Sequence, residues 1–195
     1  MAKLAWKGGA LLAPTPPVMV TCGSMDKPNI ITVAWTGLIN TQPPRLSIAV
    51  RPCRYSYGLI CESGEFVVNL TPASLIRAAD YCGMYTGAKV DKFKATHLTP
   101  EAAQAVSCPL IAECPLSLEC RVIDRLPQGT HDLFLADIVA VDVDESLVDD
   151  GGRLRLDRAG LAAFAHGEYF ALGRQIGKFG FSAVKRGKKP HRGKA

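Results

Sequence analysis

Short apolar runs separated by turn-forming residues dominate the first third of the chain. Val18–Gly23 (VMVTCG), Ile30–Asn40 (IITVAWTGLIN) and Leu46–Arg51 (LSIAVR) are rich in β-branched residues and are divided by MDKPN and QPPR. This pattern predicts three strands. A short helix over about Ser56–Ser63 follows, then the strand EFVVNL. A second helix is predicted around Ser74–Tyr85, where Leu75, Ile76, Ala79 and Cys82 recur at helical spacing. The segment TGAKVDKFKATHLTP reads as a loop and Glu101–Val106 as a short helix.

Two longer strand regions come next, LIAECPLSLECRVIDRL and HDLFLADIVAVDVDESL, joined through PQGTH. In the first, Leu116, Leu118, Cys120 and Val122 alternate, so one face is buried. The segment LRLDRAGLAAFAHGEYFALG reads as a short strand followed by a mixed apolar stretch. Strands and helices do not alternate as βαβ units, which argues against a doubly wound sheet. Six or so strands with two or three inserted helices point to a mainly β, α+β fold, a small antiparallel barrel carrying helices.

Composition narrows the class. With 195 residues, 48% hydrophobic and 21% charged, the chain is expected to form a single soluble domain over 1–184, followed by a basic tail at 185–195. The net charge of +5 is local. Lys185–Lys194 holds six of the 23 Lys and Arg, leaving 17 bases against 18 acids elsewhere. A nucleic-acid-binding surface spread over the fold is therefore not expected. GGALLAPTPPVMVTCG is too interrupted by proline for a signal peptide or a membrane span, so a cytoplasmic, non-membrane protein is expected. Seven cysteines, an odd number, suit free thiols rather than a disulfide framework. Cys108, Cys114 and Cys120 lack CxxC-like spacing, so no metal site is expected. GxGxxG after a strand, Walker A, HExxH and GxSxG are all missing.

The chemistry concentrates in RPCRYSYGLI. Arg51 and Arg54 stand just before a predicted helix start at which Ser56 is the expected N-cap. Unpaired N–H groups at a helix N-terminus, with guanidinium groups beside them, suit an anion and above all a phosphate.

The ordered series NIITVAWTGLIN…PPRLSIAVRPCRYSYGLI…GEFVVNL, continuing through TGAKVDKF, CPLIAECPLSLECRV and HDLFLADIVAVDVDE, resembles the flavin reductase-like, FMN-binding split-barrel family. The resemblance covers roughly Val18 to Ser182 and is strongest to the family's flavoredoxin-type electron carriers. It implies a six-stranded antiparallel split β-barrel, a homodimer, and FMN near the subunit interface. The phosphate suited to RPCRYSYGLI would then be the FMN 5′-phosphate, cradled by Ser56 with Arg51 or Arg54.

The same resemblance assigns Asn29, Ala34, Trp35, Thr36, Lys92, His131 and Phe164 to the flavin's surroundings. Trp35 would present an indole N–H and an apolar face, and Lys92 or a protonated His131 would favour reduced flavin. No residue is required as nucleophile or base. The function implied is electron transfer with a redox partner protein. The alternative is an NAD(P)H-dependent FMN reductase built on the same contacts.

Overall fold

The computed structural model describes residues 1–183; the basic tail at 185–195 lies outside the described residues. In chain order the elements are β1 (Val18–Ser24), β2 (Lys27–Val33), β3 (Thr36–Thr41), β4 (Pro44–Val50), α1 (Tyr55–Ser63) and β5 (Glu65–Asn69). They continue with α2 (Ile76–Met84), α3 (Lys92–Thr96), β6 (Pro100–Glu101), β7 (Leu110–Ile111), β8 (Leu116–Pro127), β9 (Asp132–Val143), β10 (Ala162–Ala165) and β11 (Glu168–Ala171).

Seven strands form one antiparallel sheet in the order β2-β1-β5-β8-β9-β4-β3. The seventh strand arises because the run Ile30–Asn40 is two strands. Its first half, β2, closes one edge of the sheet, and its second half, β3, closes the opposite edge. Only Ala34 and Trp35 join them. Three Cα steps reach at most about 11 Å, so the sheet has to curl until its two edges meet at this point. The Trp35 carbonyl already accepts from Ala49 N–H of β4 at 2.9 Å. The result is the mixed α/β split barrel with inserted helices.

Period-two burial fills the barrel. Val18, Val20 and Cys22 of β1, Leu46, Ile48 and Val50 of β4, Phe66 and Val68 of β5, and Phe134 and Ala136 of β9 face one core. Each large side chain so buried contributes about 1.5–3 kcal/mol. Strand β1 does not alternate, because its other face is covered too. Met19 packs with Ile30, Ala79 and Cys82 of α2, and Phe93 of α3.

Besides the divided run Ile30–Asn40, three elements differ from the expected ones. The short strand expected at LRLDR is instead a single 3₁₀ turn at Leu156–Arg158, with only an isolated bridge from Leu154 to Val148. Glu101–Val106 is not a helix. Its backbone N–H groups at Gln104, Ala105 and Val106 instead converge on the buried Glu119 carboxylate, at 2.8, 2.7 and 3.0 Å. A buried charge with three N–H donors outweighs a helical turn's hydrogen bonds. The expected loop after Thr86 contains α3, whose N-cap Asp91 accepts from Lys94 N–H at 3.1 Å. Among the described residues no helix is long and apolar enough to cross a membrane.

Candidate functional site

Helix α1 begins at Tyr55, and its N-cap is Arg54, which makes no side-chain cap bond. Ser56 is therefore not the cap but the second residue of the helix, 2% exposed, and its Oγ accepts from Asn29 Nδ2 at 2.7 Å. The first-turn N–H groups of Tyr55 and Ser56 have no intrahelical acceptor.

A cavity of about 260 Å³ opens at this turn, lined by Arg51, Arg54, Tyr55 and Ser56 on one side and by Cys82, Tyr85, Thr86, Gly87 and Lys92 on the other. A second cavity of about 170 Å³ is lined by Ala34, Trp35, Ala49 and His131. Both share Ile31, Arg51 and Arg54 as walls, so they adjoin. Together they fall within the roughly 300–1,000 Å³ typical of small-ligand sites. A larger cavity of about 480 Å³ elsewhere carries Glu101, Asp142 and Asp144, a lining that repels anions.

The first cavity is a donor site. Among the described residues neither Arg51 nor Arg54 joins an ion pair, so ordinary surface pairing does not account for them. Lys92 is 3% exposed, and its Nζ donates to the Ile30 and Cys82 carbonyls at 2.6 and 2.7 Å, which leaves one of its three protons. Burial lowers the Lys92 pKa; the nearby Cys82 and Cys22 oppose the shift, and Arg54 adds to it. Burial also pushes the Cys22 and Cys82 thiols up to about 11, so both stay protonated.

The second cavity is aromatic. Trp35 is 50% exposed and its ring lies 4.5 Å from that of His131, tilted by 38°; it is not a core tryptophan. Burial, then Arg51 and Arg54, lower the His131 pKa below the ordinary histidine value. The shift favours the neutral imidazole at pH 7, so of the two cations that would favour reduced flavin Lys92 is the one the site keeps beside it. The His131 Nδ1 meets Thr130 Oγ1 at 3.0 Å, leaving Nε2 for a ligand.

Two of the candidates stand apart. Thr36 Oγ1 donates to the Ser47 carbonyl at 2.8 Å, and the residue lines a separate apolar cavity with Leu38, Leu46 and Ile138. Phe164 sits in the β10–β11 hairpin, paired with Thr15 and packed 5.3 Å from the Tyr169 ring. Asn29, 3% exposed, lies behind Ser56 rather than on the cavity wall.

The wall formed by Tyr85, Thr86 and Gly87 escaped the sequence reading. Gly87 carries a signal only in three dimensions: a Cβ there would stand 1.9 Å from Asn29 Oδ1 and 2.9 Å from Tyr55 Cδ1. Only glycine lets this loop lie against the helix start.

Comparison with known proteins adds an independent line. Residues 11–173 match the model of the flavin reductase like domain. The fold superposes on the flavoredoxin of Desulfovibrio vulgaris (Miyazaki F) with a TM-score of 0.87 at 31% identity, covering 94% of this chain and 100% of that one. The flavoredoxin from Methanosarcina acetivorans gives 0.84 at 26% identity, with the same coverage. A protein of Archaeoglobus fulgidus is 36% identical over 117 residues, 60% of this chain. The matched part spans 66% of that relative and 50% of one from Aeropyrum pernix.

Proposed function

The chain belongs to the flavin reductase-like domain family, and from that premise we propose that it is an FMN-binding redox flavoprotein acting in electron transfer. The observation that carries this reading is the pair of adjoining cavities, one rich in anion donors and one aromatic, joined through Ile31, Arg51 and Arg54. That donor set fits a phosphate dianion: two guanidinium groups that join no ion pair among the described residues, two first-turn N–H groups and the Lys92 ammonium. The aromatic cavity fits a flat, partly polar ring.

In this reading Arg51, Arg54 and the Ser56 turn hold the phosphate, and Ser56 is oriented by Asn29. Ala34 and Trp35 border the ring through backbone groups and the indole, and His131 offers Nε2 as a neutral hydrogen-bonding group. When bound, FMN supplies hydride acceptance or single-electron passage. The half-exposed Trp35 leaves the ring side of the site open to a partner.

Homodimerisation is part of the proposal. Leu38 is 75% exposed and Ile39 51% on edge strand β3, and Val139 and Val141 of β9 are exposed as well. These positions form apolar surface that a second copy would cover. Thr36 and Phe164 do not reach the groove of their own chain, so a role for either at a flavin would have to be at the partner's groove.

The electron donor separates this reading from an NAD(P)H-dependent FMN reductase. In an anaerobic titration of purified protein with NADH and NADPH, the visible flavin bands are expected to persist with both nucleotides and bleach with dithionite. Rapid bleaching by either nucleotide would make the protein a reductase.

A further inference from the structure

Asp132, the first residue of β9, is 6% exposed and sits at the junction of three strands, paired with Val50 of β4 and Pro127 of β8. Its carboxylate reaches across to α1, where Tyr57 Oη donates to Oδ2 at 2.6 Å. Arg125 completes the cluster. Its Nη1 donates to Tyr57 Oη at 2.9 Å, its Nε lies 3.9 Å from Asp132 Oδ2, and its guanidinium stands 5.9 Å from the Tyr57 ring centre. The Tyr57 ring also packs edge-on at 5.5 Å against Phe134.

The two ends of this bond belong to the two halves of the groove. Tyr57 follows Ser56 in the first turn of α1, and its N–H bonds back to the Arg54 carbonyl at 3.0 Å. Asp132 follows His131, whose carbonyl accepts from Gln128 N–H at 2.9 Å and whose ring lies tilted against Trp35 at 4.5 Å. Tyr57–Asp132 is a direct side-chain tie between the phosphate-side turn and the strand start that carries the ring-side histidine.

We propose that Tyr57 and Asp132 are positioning residues, a latch that sets the placement of His131 relative to the N-terminal turn of α1. The consequence for FMN rests on the flavin reading above; the consequence for His131 does not. Neither residue lines either cavity, so neither is a ligand contact. The Asp132 carboxylate holds the Tyr57 phenol up to about 12, so the O–H remains the donor at physiological pH.

The experiment uses Tyr57→Phe, which keeps the ring against Phe134 and removes only the hydroxyl, beside Asp132→Asn, which keeps an acceptor oxygen. The first readout is the His131 titration in the flavin-free protein, followed by NMR. The groups facing His131 are Arg51, Arg54, Thr130 and Trp35; the Asp132 carboxylate is turned to Tyr57 and Arg125. If the latch holds the imidazole near Arg51 and Arg54, its pKa rises toward the ordinary value in Tyr57→Phe. It does not rise in Asp132→Asn, where a negative charge is lost and the tie is kept. The second readout is affinity: about tenfold weaker FMN binding in Tyr57→Phe, with a smaller loss in Asp132→Asn. An unchanged His131 titration in Tyr57→Phe overturns the latch. Should the wild-type protein bind no FMN, the flavin reading fails and the histidine titration alone decides the latch.

Discussion

Gly87→Ala tests the groove at its tightest point. The added methyl would lie 1.9 Å from Asn29 Oδ1, 2.7 Å from Asn29 Cγ and 2.9 Å from Tyr55 Cδ1, all well inside van der Waals contact. Asn29 cannot swing clear, because it is 3% exposed and its Nδ2 is bonded to Ser56 Oγ at 2.7 Å. The loop at Thr86–Gly87 or the first residue of α1 must move instead. Overpacking of this kind costs about 1–3 kcal/mol. In a chain of this size that corresponds to a fall of roughly 3–10 °C in Tm. The displaced loop and Ser56 turn both line the donor cavity, so FMN affinity is expected to drop by about tenfold. Gly58→Ala is the control. Gly58 lies exposed within α1 with nothing within 4 Å of its would-be Cβ, and alanine there should stabilise by about 0.5–1 kcal/mol. Thermal unfolding and a flavin fluorescence titration on both variants decide the matter. Wild-type stability and FMN affinity in Gly87→Ala would refute the close-approach argument.

Other expectations follow from the same geometry. Ser56→Ala and Arg54→Ala should weaken FMN binding more than riboflavin binding, since only FMN carries the phosphate; equal losses in paired titrations would remove these residues from the cradle. Trp35→Ala should change flavin affinity or absorbance, and an unchanged spectrum and affinity would place the indole outside the ring site. His131 has a depressed pKa in the folded chain, so between the two values the unfolded chain binds more protons. Its contribution to stability is then present above about pH 6.5 and lost as pH falls through the folded value. Denaturant unfolding between pH 7.5 and 5 should show this loss in the wild type, and less of it in His131→Gln.

Much of the barrel was legible because its strands are short, β-branched and bounded by Pro, Gly and Asn. β1, β4, β5 and α1 lie within a residue or two of their expected positions. What period and propensity could not convey was long-range. The break at Ala34–Trp35 has no turn signal, since it exists to carry the chain from one sheet edge to the other. Glu101–Val106 has local helical character, but Glu119, 13 to 15 residues further on and beyond the reach of a helical period, claims its N–H groups. The arginine pair and the helix start pointed to the donor cavity by chemistry alone. Its opposite wall, Tyr85 to Gly87, did not, because Gly87 is demanded by Asn29 and Tyr55 rather than by its neighbours in sequence. The grouping of Trp35 with His131, nearly a hundred residues apart, came from the family resemblance and not from spacing.

The most direct test of the central claim compares FMN with riboflavin on the wild-type protein freed of any bound flavin. Two charge-assisted hydrogen bonds to the phosphate, at about 1.5 kcal/mol each, correspond to roughly hundredfold tighter binding of FMN. That preference, measured by quenching of flavin fluorescence, is the result expected if Arg51, Arg54 and the first turn of α1 hold a phosphate. Equal affinity for the two flavins, or binding of neither, would contradict it.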